Sequence, residues 1–161
     1  MRLADQKGAE MTNYSAPGST GFGGGRIRWR EVEGLEHLAL SILNVDRDRG
    51  QVDFLARFEA NQPIILHRHL VQTNTFVVEG EHRIYEPDGS LKEIRAVGSF
   101  TASAPGGVHR ECGGDETCVV LYNLGADSDD LFDRLDDNKN VIRKLKMADF
   151  LEILNLQRQS A

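Results

Sequence analysis

Two cysteines, Cys112 and Cys118, are all that this chain of 161 residues contains. That is too few for a disulfide framework, and both are expected to be buried, reduced thiols. Long apolar runs are missing as well: nothing approaches the ~18 consecutive residues that a membrane-spanning helix needs. The opening "MRLADQKGAEMTNYSAPGSTGFGGG" has no apolar centre of the kind a secretion signal carries. A positive excess is absent too. The formal net charge is −6 with both signs mixed along the chain, which argues against a nucleic-acid or membrane-surface partner. No internal repeat is present. A cytoplasmic protein of one domain is expected, long enough to bury a core.

The chain divides in two by composition. Residues 1–25 are polar and end in "GFGGG", which reads as a flexible N-terminal arm; residues 26–161 read as the domain. Short runs rich in β-branched and aromatic residues fill most of the second part: "RIRWREV", "LEHLALSIL", "QVDFLARFEA", "PIILHRHL", "TNTFVVEG", "EHRIYE", "LKEIRA", "SFTASA" and "TCVVLYNL". In "QVDFLARF", Val52, Phe54, Ala56 and Phe58 share one face of the strand. Turn signals such as "RDRG", "ANQP", "PDGS", "APGG" and "GGDE" separate the runs. Many short strands at such spacing predict an all-β sandwich or barrel. The acidic "DSDDLFDRLDD" lacks the ligand spacing of a calcium loop and is expected to be a solvated loop. In "MADFLEILNLQ", Phe150, Leu154 and Leu151 fall at helical spacing, predicting one C-terminal helix packed on the barrel.

Histidines carry the chemical signal. His67 and His69 stand two apart in "LHRHL", so a strand points both to one face, as two imidazoles meeting at one ion require. A third ligand must come from another strand, and His109 is the candidate. It follows "SAPGGV", whose glycines let the backbone approach closely before re-entering a sheet. His37 reads as a surface or hydrogen-bonded histidine, and His82 as a packing or supporting one.

The segment from Gln62 to Gly80 resembles the first cupin motif, in which HxH leads to a glutamate and then a hairpin glycine. Gly80 stands where that glycine belongs. Gly98 to Gly113 is similar to the second motif: Gly98, Gly106 and His109 match its spacing, with Ala104 and Gly113 in place of the usual proline and asparagine. The resemblance implies a cupin double-stranded β-helix, a jelly-roll barrel with a short C-terminal helix. It departs at the glutamate, whose place is taken by Thr73, a poor ligand for a divalent ion. The three-histidine remainder resembles the acetylacetone-cleaving and dihydroxyacetophenone dioxygenases and the cupin half of ChrR-type anti-sigma factors. "VLYNLGA" with "LFDRLDDNKNVI" is similar to the end of those dioxygenases.

Two carboxylates compete for the fourth position and for a catalytic part. Glu86 shares a face with His82 and Ile84 if the strand after Gly80 alternates, and the dihydroxyacetophenone enzymes resemble this chain in a glutamate on that strand. Glu111 shares the face of His109. Phe54, Phe58, Thr73, Thr75, Val77 and Phe100 are expected to line the cavity. The resemblance implies iron(II) for an oxygenase cleaving a carbon–carbon bond beside a ketone, zinc or nickel being alternatives as isolated. It also implies a small-molecule substrate and a homo-oligomer, dimer or tetramer. A non-catalytic metal-holding sensor domain is the competing expectation, because fold does not fix function.

Overall fold

The computed structural model describes residues 26–160; the arm expected over residues 1–25 lies outside them. Twelve strands precede one helix. They are β1 (Arg30–Val32), β2 (Leu35–Asp46), β3 (Gln51–Phe58), β4 (His67–His69), β5 (Gln72–Glu79) and β6 (His82–Tyr85). After these come β7 (Leu91–Arg95), β8 (Phe100–Ser103), β9 (Val108–Gly113), β10 (Cys118–Gly125), β11 (Asp130–Leu135), β12 (Val141–Lys146) and α1 (Met147–Gln159). The strands form two six-stranded sheets, in the orders β1-β2-β3-β10-β5-β8 and β12-β11-β4-β9-β6-β7. This is the all-β jelly roll with a C-terminal helix that the sequence implies.

Alternation builds the core between the sheets. Val52, Phe54, Ala56 and Phe58 are at most 4% exposed, and the register sets Tyr122, Val120 and Cys118 of β10 opposite Phe54, Ala56 and Phe58. Each inward residue therefore packs on an inward neighbour. Both cysteines are free and buried, and burial, followed by the charge of Glu111, pushes the Cys118 thiol up to about 12. Gly80 turns β5 into β6 at a φ of 72° with the Thr117 carbonyl where a side chain would begin, so no larger residue fits there.

The acidic stretch differs from expectation, since β11 lies inside it. Leu131 and Leu135 are fully buried and Phe132 nearly so; their burial outweighs the polarity of the flanking aspartates, most of which reach solvent. Asp133, buried at 3% exposure, is compensated by Lys144 Nζ at 2.9 Å and Arg68 Nη1 at 3.6 Å. Ladder pairing in "PIILHRHL" shrinks to three residues.

α1 closes the open end of the first sheet. Asp149 accepts a hydrogen bond from the Lys146 N–H at 2.7 Å, satisfying a donor at the helix start. Met147, Phe150 and Leu154 face the core. Gln157 takes up both backbone groups of Ile42, accepting from its N–H at 2.8 Å and donating to its carbonyl at 3.0 Å. Among the described residues no helix is long and apolar enough to cross a membrane.

Candidate metal centre

β4 is only three residues long, yet it lies between β9 and β11, with His67 opposite His109 and His69 opposite Phe132. Both of its histidines are therefore turned inward, each 6% exposed. The turn before β9 delivers His109 to the same face. There the Gly106 N–H donates to the His69 carbonyl at 2.8 Å, with Gly106 at a φ of 108° that favours glycine. Glu111, two residues along β9, joins His109 on that face. The structure thus gathers His67, His69, His109 and Glu111, their ligating atoms all within 4.8 Å of one another.

Hydrogen bonds around the rings prepare them for a cation. The Nδ1–H of His67 donates to the Ile65 carbonyl at 3.0 Å. That of His69 donates to the Thr73 hydroxyl at 3.0 Å, and this hydroxyl donates in turn to the Val71 carbonyl at 3.1 Å. With Nδ1 so engaged, each ring turns its Nε2 to the centre, and the two Nε2 atoms lie 3.2 Å apart. The Nε2 of His109 is buried without a hydrogen-bond partner. Glu111 Oε2 stands 2.9 Å from Nε2 of His67, 3.7 Å from that of His109 and 3.9 Å from that of His69. Donors bound ~2.1 Å from one ion lie ~3.0–3.4 Å from each other. The donor set therefore fits a divalent metal ion.

Electrostatics point the same way. Burial alone would raise the Glu111 carboxyl, but the facing rings of His109, His67 and His82 outweigh it and hold the group well below the usual carboxylate range. Burial first, and then neighbouring His67, keeps His69 well below its ordinary value, so it is neutral. Glu111 Oε1 accepts a hydrogen bond from the Tyr122 hydroxyl at 2.7 Å, across the sandwich. Burial and the Glu111 charge push that phenol up, so it stays a donor. His82 Nε2 lies 3.0 Å from the same oxygen, though its N–H does not point along the line to make an aligned bond.

Two cavities meet at the cluster. One, of about 50 Å³, is apolar and lined by Phe54, Phe58, Leu38 and Phe132 as well as His67, His69 and Glu111. The other, of about 180 Å³, has Thr73, Thr75, Lys92, Glu93 and Arg95 around His69, His109 and Glu111. Phe54, Phe58, Thr73 and Thr75 line cavities as expected. Val77 is packed in the core and Phe100 is 66% exposed, because β8 is an edge strand that turns this residue outward.

A family model described as the ChrR cupin-like domain matches residues 24–127. The chain belongs to that family. Among solved structures, this cupin is similar to an acetylacetone dioxygenase from Acinetobacter johnsonii, at 12% identity and a TM-score of 0.67, over 98% of this chain and 99% of that one. It is also similar to an RmlC-like cupin protein from Ralstonia eutropha JMP134, at 15% identity and a TM-score of 0.69, over 84% and 83%. A third is the polyketide cyclase RemF from Streptomyces resistomycificus, at 22% identity and a TM-score of 0.52, over 62% and 73%. At these identities the likeness is one of fold. Among curated protein sequences none matches the chain.

Glu86 is not in the cluster. β6 ends at Tyr85 and Glu86 opens the turn to β7, its N–H donating to the Ser90 carbonyl at 2.8 Å, so it no longer follows the inward alternation of the strand. Its 41% exposed carboxylate pairs with Lys92 Nζ at 3.2 Å. Glu111 stands in the fourth position instead. Tyr122 and Arg95 were not anticipated among the site residues of this cupin. A tyrosine hydroxyl on the inward face of "CVVLYNL" is the signal that could have singled out Tyr122.

Proposed function

We propose that this cupin is a metal-dependent oxygenase that cleaves a carbon–carbon bond beside a ketone, acting on a small 1,3-dicarbonyl or hydroxy aryl ketone substrate. The observation that carries the reading is the cluster of three histidines and one carboxylate, their ligating atoms within 4.8 Å of one another and facing cavities on both sides. A divalent ion held there supplies Lewis acidity toward a carbonyl oxygen, and iron(II) also supplies electrons for dioxygen chemistry. His67, His69 and His109 would hold it, and Glu111 would add one negative charge. Tyr122 holds the far oxygen of Glu111 and fixes its direction, with the buried ring of His82 packed beside it. Glu111, a carboxylate of the cluster itself, is also assigned as the acceptor for the acidic C–H proton of a ketone bound there. Phe54, Phe58 and Phe132 keep water from the apolar side. The fold likeness to an acetylacetone dioxygenase supports this reading.

A second reading is a metal-holding sensor domain without turnover, favoured by the match to the ChrR cupin-like domain. One experiment separates them. Metal-free protein is reloaded anaerobically with iron(II), given acetylacetone or a 2-hydroxyacetophenone, and followed with an oxygen electrode. Saturable oxygen uptake with recovery of two cleavage products, lost in His67→Ala, is the expected result. Ketone binding seen in the metal's absorption without oxygen uptake would replace the oxygenase reading by the sensor.

A further inference from the structure

Arg95 has no part in holding the ion, yet it is turned into the protein. It ends β7 directly opposite His82 of β6, and residues opposite each other in an antiparallel ladder share a face. His82 is fully buried, so Arg95 is aimed inward beside it. Only 13% of its side chain is exposed. A buried guanidinium is costly unless its N–H groups are matched by acceptors. Here the matching is incomplete. Nη2 donates to Glu93 Oε2 at 2.8 Å, the contact of Nη1 with the Thr75 hydroxyl is long at 3.4 Å, and Nε has no acceptor. Glu93 is itself 43% exposed and so answers the charge only weakly.

Arg95 lines the larger cavity together with His69, His109 and Glu111. The four charged groups of that lining, Lys92, Glu93, Arg95 and Glu111, cancel pairwise. Once a divalent ion joins Glu111, the cavity carries its whole double positive charge. A neutral diketone that loses one proton to become an enolate answers half of that charge. A guest bearing a further carboxylate answers all of it, and offers an acceptor where Arg95 lacks one. Arg95 and the cluster also share one electrostatic enclosure, since the guanidinium's charge acts on His69 and Glu111. The apolar cavity, at about 50 Å³ against about 180 Å³, is the smaller of the two, and its one arginine, Arg134, stands among mostly apolar side chains.

We propose that the polar cavity takes a 1,3-dicarbonyl compound that also bears a carboxylate, its dicarbonyl oxygens at the histidine–glutamate cluster and its carboxylate on Arg95. Arg95 is then the specificity-determining residue. This deepens, and rests on, the metal-dependent reading above.

Binding to the zinc-loaded full chain tests it without turnover, with retained zinc measured in every sample. Calorimetry compares acetylacetone with 2,4-dioxopentanoate, which has the same diketone and an added carboxylate. The carboxylate-bearing probe should bind ~10–100-fold more tightly, the range expected for a charge-assisted hydrogen bond. Arg95→Gln should abolish that preference by weakening the carboxylate-bearing probe far more than acetylacetone, Arg95→Lys should keep part of it, and Glu93→Gln, which frees the guanidinium, should enlarge it. Equal affinity for the two probes in the native protein overturns the proposal, as does an Arg95→Gln variant that weakens both alike. Selective zinc-form binding with no oxygen uptake by the iron form overturns the oxygenase reading and leaves Arg95's role standing. Failure of both probes to bind overturns the two together.

Discussion

Thr73 shows how a single side chain can leave a ligand set and still serve it. In the motif it resembles, a glutamate stands at this position; here the hydroxyl accepts the Nδ1–H of His69 and donates its own O–H to the Val71 carbonyl. The ring is thereby fixed with Nε2 toward the centre. Supporting partners of this kind are worth ~10–100-fold in metal affinity. Thr73→Val, which preserves shape and removes the acceptor, should weaken zinc binding by about that factor in competition with a chromophoric chelator; unchanged affinity would show that packing alone orients His69. The histidines themselves were legible because a period of two places His67 and His69 on one face whatever the rest of the fold does. Glu111 was legible by the same rule from His109. Glu86 was offered beside Glu111, and the two could not be separated because the residue at which β6 gives way to its turn leaves no mark in composition or spacing. Arg95 and Tyr122 reach the site from other strands, and only tertiary register tells where those strands lie.

Among the elements, α1 was readable from its apolar spacing, whereas β11 was hidden by its aspartates. Three apolar residues, Leu131, Phe132 and Leu135, decided that segment against its polar majority, and Lys144 and Arg68 made the inclusion of Asp133 tolerable. The docking of α1 on β2 depends on one residue that no apolar pattern would select. Gln157, 6% exposed, takes the place of a neighbouring strand for Ile42. Gln157→Leu should therefore cost about 1–3 kcal/mol for the polar backbone left unpaired. The change should appear in urea unfolding as a lower midpoint with an unchanged slope. An unaltered midpoint would mean that the helix is held by Met147, Phe150 and Leu154 alone.

For the whole molecule, the buried cluster sets a direction for acid stability when no metal is bound. His69 has a folded pKa depressed by burial and then by His67, while the unfolded chain takes up its proton near the ordinary value of ~6.5. The unfolded state thus binds more protons as pH falls below that value, and stability declines. Glu111 acts with the same sign lower down: its depressed folded pKa stabilises above the ordinary carboxylate value, and this is lost as pH falls through the folded one. Chelator-treated protein should therefore show a falling urea midpoint from pH 7.5 to pH 5, continuing below; a flat profile would indicate that the rings protonate without penalty.

The ligands also have a spacing along the chain with a consequence for timing. His67 and Glu111 lie 44 positions apart by their numbers, and the strands between them belong to both sheets. Before β4 and β9 are paired, a nascent chain offers an ion only the two imidazoles of one short strand. The full cage appears when distant strands have met and Tyr122 has closed over Glu111. Any choice among competing ions would then fall to a finished chamber of fixed geometry, not to the loose chain on its way there.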